Sequence, residues 1–255
     1  MRTPGLDTGC FETGSGNAGI LLLHGYTGAP PDVRPMAEYL AAKGMRVVAP
    51  LLPGHGTSAK DLNTRTWREV ADAAAAELYK LQGECDRVFV GGLSMGGLLA
   101  LYLGERCSGI AGLVPMAAAV YAKSPLRFLL PIVRLAVSTL PKNSAPDHSV
   151  HDPKCASLLW SYEHEALHFA AQVMALMHEV RDNLPRVHQP LLIFQGIHDK
   201  TVPMRAARAI MERSTSLDQE LIVLEHSGHC LSVDQERDLV FLTTWQWIHR
   251  QLQTN

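Results

Sequence analysis

Arg87-Val88-Phe89-Val90-Gly91-Gly92-Leu93-Ser94-Met95-Gly96-Gly97 joins a short apolar run to a helix-like stretch, Gly97 to Arg106, through the pentad G-x-S-x-G. That setting, strand then serine then helix, is that of a nucleophile elbow. A serine on so sharp a turn needs small neighbours, because a Cβ two positions before or after it meets the flanking backbone. Gly92 and Gly96 meet that demand, and Gly97 lets the helix sit close.

Three further segments fall where such an elbow needs them. Upstream, Ile20-Leu21-Leu22-Leu23 reads as a buried parallel strand ending in the loop His24-Gly25-Tyr26-Thr27-Gly28, which can aim a backbone N–H at a substrate oxygen. Downstream, Leu191-Leu192-Ile193-Phe194-Gln195-Gly196 is another buried strand, followed by His198 and Asp199. A carboxylate there lies beside the crevice at the carboxyl ends of an open α/β sheet. Leu221-Ile222-Val223-Leu224 then leads into Glu225-His226-Ser227-Gly228-His229. The order Ser94, Asp199, His229 is the chain order of elbow hydrolases, and the interval from Asp199 to His229 holds one helix and one strand, as a right-handed crossover requires.

Strands are expected near 20–23, 45–49, 87–91, 110–116, 190–195 and 220–224, and helices near 31–43, 67–82, 95–106, 203–215 and 234–251. This alternation predicts a mostly parallel sheet flanked by helices on both faces. From 117 to 185 the alternation stops, and so long a stretch exceeds a plain connection. A cap insertion at 117–185, with the core formed by 1–116 and 186–255, is the expected organisation. Leu126, Leu130 and their apolar neighbours suit an acyl-binding cavity, whereas Leu167, Val173, Met174, Leu176, Met177 and Val180 have helical spacing and equally suit packing onto the core.

The chain resembles α/β-hydrolases, in particular small bacterial carboxylesterases and monoacylglycerol lipases. The likeness rests on His24-Gly25-Tyr26-Thr27-Gly28, Pro53-Gly54-His55-Gly56, Gly92-Leu93-Ser94-Met95-Gly96-Gly97, Ser227-Gly228-His229 and Asp234-Gln235-Glu236. Tyr26 departs from the phenylalanine common at that point. The resemblance implies an α/β-hydrolase fold and carboxylesterase activity on short-to-medium acyl esters, with monoacylglycerol lipase as the alternative. Ser94 is the expected nucleophile, His229 the base and Asp199 its orienting acid. The N–H groups of Tyr26 and Met95 are the expected oxyanion hole, and Gly25, Leu126, Leu130 and Val202 the expected substrate contacts. Such chemistry calls for neither metal nor organic cofactor.

The other histidines and acids have weaker claims. His24 and His55 suit bracing of their loops. His198 and His226 are alternatives to His229, and Glu225 and Asp218 are weaker acids than Asp199. Asp234 reads as a helix cap, with Arg237 in the first turn. His164-Glu165-Ala166-Leu167-His168 is a literal H-E-x-x-H, which on a helix would present two histidines to zinc and makes a metalloprotease a remote alternative. Ala171 and Met174 stand where the longer motif needs glycine and a third histidine.

Composition sets the remaining bounds. A chain of 255 residues, 47% hydrophobic, is large enough for one well-buried α/β domain. A formal net charge of −2 without long runs of one sign implies no nucleic-acid partner and leaves a small-molecule ester as the expected one. No transmembrane segment is expected, since the richest apolar stretch, 128–137, is interrupted by Pro131 and Arg134. Transient contact of the cap with a lipid surface is compatible with this composition, and the oligomeric state is not written in it. Five cysteines without a C-x-x-C pair, and a polar amino terminus, point to a reducing cytoplasm.

Overall fold

The computed structural model describes residues 5–123, 130–142 and 150–254. In chain order its elements are β1 (Phe11–Thr13), β2 (Ala18–Leu23), α1 (Arg34–Ala42), β3 (Arg46–Ala49), α2 (Ala59–Leu62), α3 (Trp67–Glu84), β4 (Arg87–Leu93), α4 (Met95–Arg106) and β5 (Ile110–Met116). After these come α5 (Leu130–Ala136), β6 (Thr139–Pro141), β7 (His164–Ala166), α6 (Leu167–Asn183), β8 (Leu191–Gly196), α7 (Arg205–Arg213), β9 (Gln219–Leu224) and α8 (Arg237–Gln253). The main sheet has the order β1-β3-β2-β4-β5-β8-β9, with every pairing parallel except β1 against β3. The expected parallel sheet is therefore present. The antiparallel edge strand β1 was not foreseen; its three residues are too few for a periodic signal.

Alternation along the buried strands builds two hydrophobic layers. Leu21 and Leu23 of β2 pack with α3, α4, α6 and α7, whereas Ile20 and Leu22 pack with α1 and α8 on the opposite face. Strands covered on both faces read as unbroken apolar runs for this reason. Helix α4 is almost wholly buried, because the sheet lies under it and α3 and α6 lie against it. Its sequence up to Gly104, rich in Gly, Leu and Ala, is apolar on nearly all sides, as such a place demands, and its charges come only at the end, Glu105 and Arg106.

Helix α6 is thus a component of this packing. Leu176, Met177 and Val180 join the same cluster as Leu98 and Leu101, with Val173 and Met174 packed against it, so this half of the 117–185 stretch fastens to the core. Among the described residues no helix is long and apolar enough to cross a membrane.

Candidate active site

Because β2, β4, β8 and β9 run parallel, the loops that follow them emerge at one end of the sheet. The connection from β3 passes over β2 to β4, so the chain reverses its direction of winding there, and a crevice opens between adjacent strand ends. His24 to Gly28 follow β2, and Ser94 follows β4.

Ser94 adopts φ 58° and ψ −108°, a conformation unusual for a residue with a Cβ. It is held there by its N–H donating to Met116 O at 2.9 Å and by its carbonyl accepting from Leu98 N–H at 3.1 Å. The glycines around it are required by contact. A Cβ on Gly92 would lie 2.4 Å from the Gly96 carbonyl, and one on Gly96 would lie 2.0 Å from Leu23 O. Packing of the elbow against β2 would be lost with either.

His229 links the three side chains. Its Nε2 lies 2.9 Å from Ser94 Oγ and its Nδ1 2.8 Å from Asp199 Oδ2. A carboxylate only accepts, so in the neutral ring the proton sits on Nδ1 and leaves Nε2 free to accept from the serine hydroxyl. Asp199 Oδ1 accepts from the N–H groups of Thr201 at 2.7 Å and Val202 at 2.8 Å, and Oδ2 also accepts from Gln195 Nε2 at 3.0 Å. Burial opposes ionisation of Asp199, but the charge and hydrogen bond of His229 and the two N–H groups outweigh it, so its pKa falls below the ordinary carboxylate value. The Asp199 loop is further tied by Lys123, whose ammonium donates to the Asp199 carbonyl.

The His229 loop reaches this position because β8 ends in a residue without a side chain. A Cβ on Gly196 would lie 2.3 Å from Gly228 O and 2.5 Å from Ser227 O. Asp234 then fixes the loop: it accepts from Gly228 N–H at 2.6 Å, Gln235 N–H at 2.9 Å, and His151 and Asp152 N–H at 2.7 and 3.1 Å. The reading of Asp234 as a helix cap is corrected here. Helix α8 begins at Arg237 after Glu236, and the Asp234 carboxylate binds loops instead. Glu236 adds bonds to His226 N–H and Ser227 Oγ.

The loop after β2 lies against the elbow, since a Cβ on Gly25 would sit 3.6 Å from Ser94 Cβ. Residues 25–28 form a turn closed by Gly28 N–H donating to Gly25 O at 3.2 Å, with Thr27 at φ 55°. His24 braces it as expected: Nδ1 is 3.0 Å from Gly25 O, and Nε2 accepts from Leu52 N–H at 3.2 Å. Burial, and the proximity of His55, hold the His24 pKa well below the usual value. His55 packs edge-on to His24 at 4.8 Å between ring centres, and burial lowers its pKa to about 4.

Other sequence candidates lie elsewhere. His198 stacks on His151 at 4.1 Å, and His226 is exposed. Asp218 accepts from Gln251 Nε2 at 2.7 Å, and Glu225 is exposed. Met95 is buried at the first turn of α4, next to Ser94. Leu130 is half-buried at the start of α5, while Leu126 lies outside the described residues. Val202 has no exposed surface, so its contribution is the N–H that holds Asp199 rather than contact with a ligand. The H-E-x-x-H stretch is not helical: His164 to Ala166 form β7, paired with β6, and α6 starts only at Leu167. His164 and His168 therefore do not share a helix face, and the zinc reading loses its geometry.

A parallel sheet wound in this order, with an elbow serine bonded through a histidine to an acid after β8, defines an α/β-hydrolase. Residues 14–236 match the family described as serine aminopeptidase, S33, and the chain belongs to that family. It is 32% identical to a thermostable monoacylglycerol lipase of Bacillus sp. (strain H-257) over 90% of each chain. It is 28% identical to a carboxylesterase of Bacillus subtilis (strain 168) over 94% of this chain and 96% of that one. Among solved structures, a chain described with the metagenome-derived lipolytic enzymes LipS and LipT superposes with a TM-score of 0.89 at 27% identity, covering 98% of this chain and 100% of that one.

Proposed function

We propose that the chain is a serine hydrolase that cleaves carboxylic esters of short-to-medium acyl chains through an acyl-enzyme. The observation that carries this reading is the pair of contacts of 2.9 and 2.8 Å that run from Ser94 through His229 to Asp199. His229 takes the Ser94 proton as Oγ attacks the ester carbonyl, then gives it to the departing alcohol. Asp199 holds the ring in the required tautomer and stabilises its charged form. The N–H groups of Tyr26 and Met95 receive the oxyanion, the second at the amino end of α4, where the helix dipole favours negative charge. Water activated by His229 then releases the acid.

Residues 117–185 form the cap in this reading, with Gly25 beside the nucleophile and Leu130 toward the acyl chain, and the cap is the surface that meets lipid when substrate is delivered from one. The five free cysteines suit a reducing compartment such as the cytoplasm. The kinship at 32% with a monoacylglycerol lipase favours a second reading, in which 1-monoacylglycerols are the preferred esters.

The test is a panel of p-nitrophenyl esters of increasing length set beside 1-monoacylglycerols and an aminoacyl p-nitroanilide. Esters should be turned over and the anilide not, and Ser94→Ala should lower kcat by about 10⁶ without changing the melting temperature. Retention of most turnover by Ser94→Ala would overturn the assignment. A large advantage of monoacylglycerols in kcat/KM would select the second reading.

A further inference from the structure

The turn that carries Tyr26 is strained, and the groups holding it come from the cap. In a turn of this shape, with positive φ at the third residue and not at the second, the third place normally goes to glycine or asparagine. Here it holds Thr27, a β-branched residue at φ 55°, an arrangement that persists only where the surroundings enforce it.

The enforcing contacts are specific. Tyr162 N–H donates to Thr27 O at 3.2 Å, and Lys142 Nζ donates to Thr27 Oγ1 at 2.7 Å and to Ser161 Oγ at 2.6 Å. Ser161 Oγ itself lies 3.1 Å from Thr27 Oγ1. One residue earlier, the Tyr26 hydroxyl donates to Ala166 O and accepts from Ala166 N–H, both at 3.0 Å. Its ring stacks on Phe169 with centres 6.2 Å apart and planes within 13°. Burial, together with nearby Glu165, raises the phenol pKa well above its usual value, so the hydroxyl keeps the proton it needs to donate. Ala166 closes β7 and precedes α6, so the tyrosine grips the joint between two cap elements.

We infer that the cap assembles the oxyanion site: the Tyr26 hydroxyl, bonded twice to Ala166, acts as a positioning group that keeps the strained Thr27 turn, and hence the Tyr26 N–H, in its working orientation. The inference rests on the serine-hydrolase reading above and extends it. If the grip is released, Tyr26 is no longer pinned to Ala166, Thr27 relaxes to negative φ, and the turn reorganises together with the Gly25–Tyr26 peptide that carries the Tyr26 N–H. The neighbouring N–H is then displaced from the place where oxyanion charge develops. A phenylalanine at this position has the stacking but not the bonds.

The experiment compares Tyr26→Phe, Thr27→Gly and the double variant. Measured are kcat and KM on a p-nitrophenyl ester, and the inhibition constant of an alkyl trifluoromethyl ketone, whose tetrahedral adduct places an oxyanion in the same site. Tyr26→Phe should lower kcat about tenfold and weaken the ketone by a similar factor, with KM little changed, a partial version of losing one oxyanion donor. Glycine is at ease at φ 55°, so in the Thr27→Gly background the same substitution should cost less than about threefold.

Unchanged kcat and ketone affinity in Tyr26→Phe would overturn the inference, as would an equal loss in both backgrounds. A fall in melting temperature with kcat and ketone binding intact would also overturn it, reducing the tyrosine to a packing role. Ser94→Ala measured alongside separates the two levels: an inactive Ser94→Ala with an unaffected Tyr26→Phe removes this inference and leaves the hydrolase reading standing.

Discussion

The sheet with its helices and the 117–185 stretch are attached to the rest of the molecule by different physics. Within the sheet, each strand is fixed by ladders of backbone hydrogen bonds and by apolar side chains on both faces. Among the described residues, the 117–185 stretch has a ladder only within itself, β6 against β7, and an apolar seam along α6. Many of its other ties run from individual side chains of the core to its backbone: Tyr26 to Ala166, Asp32 to Trp160, Asn63 to Ser138, His168 and Phe169, and Asp234 to His151 and Asp152. A ladder is lost cooperatively, whereas such ties can be cut one at a time.

The largest expected effect of cutting one is at Asp234, which serves both regions. Its two oxygens accept from four backbone N–H groups, so Asp234→Asn turns an amide NH2 toward donors and should cost about 3–5 kcal/mol. Thermal unfolding measures this; a variant within 1 °C of the parent would show that these bonds are replaceable.

Acid probes the next tie. His55 sits between His24 and Phe169 of α6, and its depressed pKa of about 4 means that the unfolded chain binds its proton first as pH falls. Stability from this group is complete above about pH 6.5 and is lost toward pH 4, about 3 kcal/mol in all. Denaturation at a series of pH values should show that slope, and His55→Asn should reduce it by about one proton; an identical slope in the variant would assign it to other groups.

The smallest of these effects is at Asn63. The residue preceding α6, Ala166, offers no capping side chain, and Asn63 Oδ1 instead accepts from His168 N–H at 2.9 Å and Phe169 N–H at 3.2 Å. Asn63→Ala should cost about 1 kcal/mol, a fall of about 2–4 °C in melting temperature. Hydrogen exchange should localise the loss to the first turn of α6; protection lost evenly along the sheet would contradict the comparison.

The same contrast explains what was legible. Strands β2, β4 and β8 announce themselves because burial on both faces leaves an unbroken apolar run, and the elbow because its glycines are dictated by contact with Leu23. The placement of Ser94, Asp199 and His229 after β4, β8 and β9 is readable from chain order, since each follows a recognisable strand. The role of Asp234 is hidden in the sequence because an acid before a helix has a local use, the cap, while its donors at 151 and 152 are remote. The same holds for the helical reading of His164 to His168: spacing alone does not reveal that β6 captures the first three residues as a strand.

Asn63 shows how far the 117–185 stretch is from being a detachable module. The oxygen that accepts from the N–H groups of His168 and Phe169 in the first turn of α6 lies outside the segment, so a chimera that imports the corresponding stretch of a relative receives a helix whose first turn depends on a residue more than fifty positions upstream of the splice. Recombination breakpoints at 117 and 185 would preserve the strands yet separate the helix from its terminator. A graft of this stretch between relatives would have to move residue 63 together with it.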